Sequence, residues 1–245
     1  MNNERVADIV NFLKSLKINS IRFNQILENN NLEKLIIINE ALTHSSMSKE
    51  TNHEKLEFLG DAVLRLSASE FIEKNFQSLN VGERSELRAQ IVSDEWLAKF
   101  GRKIQLENII IIGPKAIGDS FSKDTIIAEI TEALIGAIYK CFSSVKEINL
   151  WLDQYWLKDS RVILDSPYKF NAKSKLQEWC QSRSLNLPIY KIMETSKTHG
   201  DQKRFFCEVF IEGKLYATSY GPSHKKAEKI AASKAIESIM TINNN

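Results

Sequence analysis

The stretch HEKLEFLGDAVL at residues 53–64 carries acidic and apolar residues at helical spacing. Glu54, Glu57 and Asp61 stand at i, i+3 and i+7, so at about 100° per residue they fall within an arc of about 60°. The stretch therefore predicts an amphipathic helix with three acids on one face. Its packed side is predicted to hold the apolar residues Leu59, Ala62, Val63 and Leu66.

A second pair of acids argues against a merely solvated acidic face, which is the alternative for the first helix alone. Glu129 and Glu132 lie one turn apart in IIAEITEALIGAIY at 126–139, a strongly apolar helix that should be largely buried. Carboxylates in such a place repel one another and lose solvation unless a cation compensates them. All-oxygen ligands suit Mg²⁺, and no His or Cys cluster is spaced for zinc.

Helical periodicity dominates the first part of the chain, from Glu4 to about Trp156. VADIVNFLKSL at 6–16 and LRAQIVSDEWLAKF at 87–100 repeat apolar residues every three or four positions. NIIIIG at 108–113 has strand-like residues but no partner run nearby, so it is predicted to be an extended connection or a helix end. We predict an all-α helical domain.

The pattern changes after Asp165-Ser166-Pro167, the best candidate for an interdomain boundary. A helix, three β-prone segments and a second helix follow in the order α-β-β-β-α. Strands that follow one another directly imply an antiparallel meander covered on one face by both helices, which makes a small α+β domain. The predicted divisions are a helical domain at 1–160, a linker at 161–167 and the α+β domain at 168–241.

Charge is unevenly distributed although the whole chain carries only +2. Residues 1–167 contain 20 Lys and Arg against 24 Asp and Glu, whereas residues 168–245 contain 13 against 7. A basic domain thus follows an acidic one, which is compatible with a nucleic-acid partner but does not require one.

Two features indicate a cytoplasmic protein. The cysteines Cys141, Cys180 and Cys207 are odd in number and widely separated, as expected of reduced thiols. No run reaches the roughly 18 to 20 apolar residues that span a bilayer, and the polar start MNNERVADIV lacks a signal-peptide core. We expect no membrane contact.

HEKLEFLGDAVL closely resembles the ribonuclease III signature N-E-R-L-E-F-L-G-D-A/S-V/I-L. ALTHSS at 41–46, LRAQIVSDEWLA at 87–98 and AEITEALIGAIY at 128–139 follow in the family's order. The resemblance implies a homodimeric endoribonuclease that hydrolyses double-stranded RNA to 5′-phosphate and 3′-hydroxyl ends with two-nucleotide 3′ overhangs. Precursors of ribosomal RNA and other structured transcripts are the implied substrates.

The resemblance also implies roles for individual acids. Glu57, Asp61 and Glu132 match the family's metal-site carboxylates, with Asp61 and Glu132 as the catalytic candidates, and Glu54 matches a more peripheral acid. Glu129 stands where the family pattern A-D-x-x-E-A has Asp, and we include it as a metal ligand with one extra methylene. The implied cofactor is Mg²⁺, for which Mn²⁺ could substitute, and no organic cofactor is implied.

Three further residues carry predictions. Phe58 lies on the arc of the acids, and in ribonuclease III this Phe enters a socket of the second subunit; packing within its own domain is the alternative. His44 is expected to be structural rather than a catalytic base. Gly60 is expected to permit close approach of another helix.

The stretch 168–241 resembles the double-stranded-RNA-binding domain, most clearly in GPSHKKAEKIAA at 221–232. The implied phosphate contacts lie at a helix start, and those to a minor groove lie on the preceding helix. The first group is Ser223, His224, Lys225 and Lys226, and the second is Gln177 and Glu178. His224 replaces the family's usual Lys or Arg, and THGDQKRF at 198–205 has no His in the place that aligns with the family's loop His.

Two other functions remain open at this point. An RNA-binding regulator could use a ribonuclease-like domain mainly to dimerise, but retention of five acids favours the enzyme. A helix-bundle scaffold for protein partners would leave the basic α-β-β-β-α domain unexplained.

Overall fold

The computed structural model describes residues 1–28, 31–116, 120–165, 167–198 and 201–243. The chain divides into two compact units, Met1–Arg161 and Val162–Asn245. The helices that begin in the first unit are α1 Asn3–Ser15, α2 Ile21–Glu28, α3 Leu32–Ala41, α4 Glu54–Asn75, α5 Val81–Ile91, α6 Asp94–Lys103, α7 Ser120–Phe142 and α8 Lys146–Asp165, with short 3-10 helices at Leu106–Asn108 and Pro114–Ala116.

Helix α7 forms the centre of the first unit, since nearly every side chain from Ile126 to Ile138 is buried apart from its two acids. It crosses α4 at two glycines. A Cβ on Gly60 would lie 1.9 Å from the carbonyl oxygen of Glu132, and one on Gly136 would lie 2.1 Å from that of Leu56. No side chain fits there, so the glycines let the two backbones meet, as predicted for Gly60.

The packed side of α4 differs from the prediction. Val63 is buried, but Leu59 is half-buried, Ala62 is exposed and Leu66 is 52% exposed. The helix buries a face displaced from the predicted one, because close contact at Gly60 sets which side meets α7. Its inward residues are Leu56, Gly60, Val63, Leu64, Ser67, Ala68, Phe71 and Ile72.

The stretch 87–100 is not one helix, although its periodicity is continuous. It divides into α5 and α6 at Val92 and Ser93, where the Ser93 hydroxyl accepts a hydrogen bond from the backbone N–H of Trp96 and caps α6. The run at 108–113 is the predicted extended connection, but it has a partner: Ile111 forms a parallel bridge with Thr43.

The second unit has the predicted α-β-β-β-α order. Its strands form an antiparallel sheet in the order β1-β2-β3. Both helices pack on one face, where Leu176 of the first helix and Ala231 of the second are buried with Cys207 and Val209 of the central strand. The elements are α9 Pro167–Gln181, β1 Ile189–Glu194, β2 Phe205–Ile211, β3 Lys214–Gly221 and α10 His224–Asn243.

The region of the predicted linker is largely helical. Helix α8 continues to Asp165, Ser166 lies outside the described residues, and α9 begins at Pro167 with non-helical backbone angles at Asn171. The linker at 161–167 and the domain limits at 160 and 168 stay predictions.

Candidate active site

The crossing of α4 and α7 brings together the acids predicted from two distant stretches. Glu57 and Asp61 lie on α4, and Glu129 and Glu132 lie on α7. Burial raises the pKa of Glu57, and the charges of Glu129, Glu54 and Asp61 raise it further. The side chains of Glu57 and Glu129 are about one-third exposed, so the group is open to solvent on one side.

Glu132 is the most perturbed member of this group. Burial raises its pKa to about 7, with further increases from Asp61, Glu57 and Asp94 and a decrease from Arg65. A carboxyl whose charge is opposed both by burial and by like-charged neighbours is suited to receive a cation.

Arg65 is the cation nearest to Asp61 in the described structure. Its Nε donates to both carboxylate oxygens of Asp61, at 2.8 and 3.0 Å, from the next turn of α4. Both side chains are substantially exposed, so the pair contributes little to folding stability. Arg65 therefore holds Asp61 in place but competes with any metal for the same oxygens.

The chemistry of these donors fits Mg²⁺. Glu57, Asp61, Glu129 and Glu132 offer only oxygen ligands, which hard divalent cations prefer. Like charges in a half-buried cleft are stabilised by a divalent cation, and one open side leaves room for the waters that Mg²⁺ retains. Glu54, the predicted peripheral acid, is exposed at the first position of α4.

Two histidines, His44 and His53, join this site, which their spacing in the sequence does not predict. The Nε2 atoms of His44 and His53 lie 3.9 and 3.6 Å from the same oxygen of Glu129. Their rings stack with centroids 5.0 Å apart. Sequence spacing misses this group because Glu129, on α7, is distant in sequence from both histidines.

Phe58 is 85% exposed beside the acids, so it does not pack within its own domain. Leu66, two turns further along α4, is also exposed. Together they place large apolar side chains on the surface, where a partner could cover them.

In the second unit the predicted phosphate contacts lie at the start of α10. The Ser223 hydroxyl accepts from the backbone N–H of Lys226, and His224, Lys225 and Lys226 are exposed. The ring of His224 packs edge-on against Phe205, with centroids 4.3 Å apart. This helix terminus can present cations and polar groups to phosphate.

The other predicted contacts lie on α9. Gln177 and Glu178 are both exposed, and Glu178 pairs with Lys175 at 3.2 Å. The departure in THGDQKRF falls partly on residues 199–200, which lie outside the described residues.

Comparison with known proteins gives one family match to the helical part of the chain and another to the α+β part. The family described as Ribonuclease-III-like matches residues 34–149, and the Double-stranded RNA binding motif matches residues 172–239. Ribonuclease 3 of Prochlorococcus marinus is 48% identical over 239 residues, covering 98% of this chain and 96% of that protein. The chain belongs to the ribonuclease 3 family.

Two further proteins are similar to this chain at lower sequence identity. Ribonuclease 3 2 of a Nostoc species is 34% identical over 203 residues, covering 83% of this chain and 84% of that protein. The solved nuclease domain of ribonuclease III from Campylobacter jejuni is 27% identical, covering 65% of this chain and 92% of that chain, with a TM-score of 0.44.

This ribonuclease 3 combines a nuclease domain with a double-stranded-RNA-binding domain, and it is an endoribonuclease for double-stranded RNA. Sequence reasoning missed His53, Arg65 and Asp94 as neighbours of the acids. The spacing of Arg65 four residues after Asp61 could have indicated their pairing, whereas Asp94 approaches Glu132 only through the packing of α6 on α7.

Proposed function

We propose that this ribonuclease hydrolyses phosphodiester bonds of double-stranded RNA at the α4–α7 crossing, with Mg²⁺ as its cofactor and Mn²⁺ as a substitute. The observation that carries the proposal is the convergence of four acids in a half-buried cleft, where the pKa of Glu132 is raised to about 7. In such a cleft, burial and repulsion between the carboxylates both favour binding of a divalent cation.

Each acid has a distinct part in this proposal. Asp61 on α4 and Glu132 on α7 would hold the ion, and Glu57 and Glu129 would complete the ligand set directly or through water. Arg65, which donates to Asp61 in this structure, would be free to donate to a phosphate oxygen if Asp61 turned to the ion. The ion, when bound, activates water and stabilises negative charge on the phosphate.

RNA is held mainly by the second unit. Ser223, His224, Lys225 and Lys226 are proposed to contact phosphates, and Gln177 and Glu178 the 2′-hydroxyls of a minor groove. The first 167 residues carry more acids than bases, so they attract a polyanion poorly by themselves. Catalysis and affinity are thus assigned to different domains.

We infer that the active enzyme is a homodimer. The described residues of one chain form one acid cleft, and cutting both strands of a duplex requires two. The 85% exposure of Phe58 supports burial by a second copy, since a large aromatic is seldom left in water. Two clefts that cut opposite strands at staggered positions would leave the proposed two-nucleotide 3′ overhangs. Hydrolysis of the bond between phosphorus and the 3′ oxygen would leave the proposed 5′-phosphate and 3′-hydroxyl ends. Ribosomal RNA precursors are the proposed substrates.

The cellular setting is also a proposal. Cys141, Cys180 and Cys207 are free and buried, which suits a reducing cytoplasm. Among the described residues, none of the helices is long and apolar enough to cross a bilayer.

The decisive experiment incubates the purified chain with a long, perfectly paired RNA and separately with either strand alone. Cleavage of the duplex that requires Mg²⁺ and stops on chelation is the expected result. Binding of the duplex without cleavage in Mg²⁺ or Mn²⁺ would instead favour an RNA-binding regulator. Light scattering of the same sample tests the homodimer, and a monomer at micromolar concentration would exclude two-strand cutting by a paired enzyme.

A further inference from the structure

The sheet of the second unit has one face covered by α9 and α10 and an opposite face that these helices leave open. On β2, Cys207 and Val209 are buried with both helices, so Glu208 between them points to the opposite face. Strand register aligns three rows of side chains there: Ile189, Phe210 and Leu215; Lys191, Glu208 and Thr218; Met193, Phe206 and Tyr220. We call these nine side chains the outer sheet face.

The outer sheet face leaves large apolar side chains in water. The ring of Tyr220 lies against that of Phe206, with centroids 5.0 Å apart. Four side chains are between 45% and 60% exposed, namely Ile189, Met193, Leu215 and Tyr220. Single exposed apolar residues are ordinary, but a contiguous patch of them marks a surface that a partner covers. We propose that the outer sheet face docks against the same face of a second copy of this chain.

Charge on the outer sheet face is self-complementary. Lys191 and Glu208 are paired neighbours on β1 and β2, and the rows on either side of them are apolar. A two-fold axis that runs along the strands, between β1 and β2, places the partner's Glu208 against Lys191 and the partner's Lys191 against Glu208. The same axis lays apolar rows on apolar rows, in the aligned packing that is common between sheets. A second copy therefore fits this face better than a partner of uniform charge.

RNA fits the outer sheet face less well. Aromatic side chains on a sheet can stack on bases, but Glu208 lies in the middle row, where it repels phosphate. The Lys191 ammonium lies over the Phe210 ring, 4.7 Å from its centroid. The helices that carry the proposed phosphate and minor-groove contacts pack on the other side of the sheet. Docking through the outer sheet face thus leaves those contacts accessible to duplex RNA.

The size of the outer sheet face indicates a weak contact. Three strands about 4.8 Å apart and roughly five residues of about 3.3 Å each give an area on the order of 250 Å² in projection. Two such faces bury on the order of 500–800 Å² in total, below the roughly 1,200 Å² of a standard stable interface. The contact gains strength where two copies are already held together, because linked sites meet at high effective concentration. This step alone rests on the proposed homodimer of the nuclease unit.

The test measures self-association of the full-length protein, free of RNA, by fluorescence-detected sedimentation velocity over a wide range of concentrations. Lys191→Glu and Glu208→Lys should each raise the dissociation constant by roughly 10-fold, because in a symmetric pair each charge reversal acts twice. An equilibrated equimolar mixture of these two variants should recover the association of the parent, because opposite charges then meet across the contact. Lys197→Glu is the matched control, since it makes the same change of charge on an exposed residue beyond the end of β1 and should sediment like the parent.

Recovery in the mixture distinguishes docking from folding, because Lys191 and Glu208 are also neighbours within one chain and mixing does not change that contact. Met193→Thr removes apolar surface without changing charge and should also weaken association. Circular dichroism checks folding, and should either charge reversal unfold, Met193→Thr decides. A mixture that sediments like the single variants, or single variants that sediment like the parent, would exclude a second copy as the partner. Lower duplex affinity with unchanged association would assign the face to RNA.

The same measurement on Phe58→Ser separates this inference from the proposed nuclease dimer. That variant should weaken association by a different route, since Phe58 lies in the first unit. Unchanged association in Phe58→Ser would count against the nuclease dimer, and the charge reversals would still decide the sheet contact.

Discussion

The two functional surfaces of this ribonuclease are built in opposite ways. At the α4–α7 crossing, acids of like charge are held together by two helices whose backbones meet at Gly60 and Gly136. At the start of α10, exposed side chains including Lys225 project from the end of one helix into water. The first surface depends on exact placement and the second on the amount of charge.

The contrast indicates how each surface should respond to mutation. A metal site loses function when one ligand is lost or when its supporting helices move, because divalent ions require definite geometry. A phosphate-binding surface loses affinity gradually, since each cation contributes separately and is screened by salt.

Glu132→Gln should abolish cleavage and leave duplex binding nearly unchanged. Removing one charge from the metal site forfeits several kcal/mol of transition-state stabilisation, on the order of 10³-fold in rate, while the basic unit is untouched. Single-turnover cleavage and gel-shift binding measure the two effects. Asp153→Asn is the control, because burial also raises the pKa of Asp153 but the residue lies on α8. If the variant lost duplex binding and cleavage to the same extent, the two functions would not belong to separate surfaces.

The same variant should be more stable than the parent at alkaline pH when metal is absent. Because burial raises the pKa of Glu132 from 4.5 to about 7, the parent is unaffected below about pH 4.5 and loses stability as pH rises through about 7. Gln does not ionise, so thermal unfolding in chelator should favour the variant at pH 8 and show no difference at pH 4. Mg²⁺ should raise the melting temperature of the parent more than that of the variant.

Gly60→Ala should destabilise the nuclease unit and reduce cleavage with it. The new methyl group would meet the Glu132 carbonyl at 1.9 Å, so the helices must separate, at roughly 1–3 kcal/mol or more. Gly82→Ala is the control, because among the described residues a methyl group on Gly82 would meet only the Asn80 side chain, at 3.2 Å. Chemical denaturation compares the two, and equal midpoints would show that the crossing tolerates expansion.

Joint substitution of Lys225→Ala and Lys226→Ala should weaken duplex binding without altering the metal requirement. Each lost phosphate contact lowers the slope of log affinity against log salt by about 1. Lys234→Ala is the control on the same helix, where its Nζ donates to the Thr218 carbonyl. An unchanged salt slope in the double variant would place the phosphate contacts elsewhere.

Much of this architecture was predictable because local pattern and final contacts agree. Helical spacing predicted the stretches that became α4 and α7, and uninterrupted β-prone segments predicted the three-stranded meander. The break at Ser93 was missed because its capping hydrogen bond interrupts a periodicity that continues through it. The exposure of Leu66 was missed because the Gly60 contact, rather than average hydrophobicity, sets the inward face.

The candidate site was only partly predictable, because some of its contacts depend on tertiary structure rather than on local pattern. The acids could be paired from helical spacing and family resemblance, but neither places His44 beside Glu129. That contact depends on the bridge between Thr43 and Ile111, residues separated by the whole of α4, α5 and α6. Local sequence contains no signal of such a bridge.

The smallest expected effect comes from Glu129→Asp, which restores the residue of the family pattern. Shortening the side chain by one methylene withdraws the carboxylate from His53 Nε2, now 3.6 Å away, but leaves its charge facing Glu57. Cleavage in Mg²⁺ should stay within roughly threefold of the parent, less than about 0.7 kcal/mol, with a shifted ratio of Mg²⁺ to Mn²⁺ activity. Glu129→Ala is the matched comparison and should cripple cleavage because the charge itself is lost. Parallel titrations with both ions distinguish these cases, and if Glu129→Ala cleaves like the parent with the same metal requirement, Glu129 is no ligand and the four-carboxylate site is wrong.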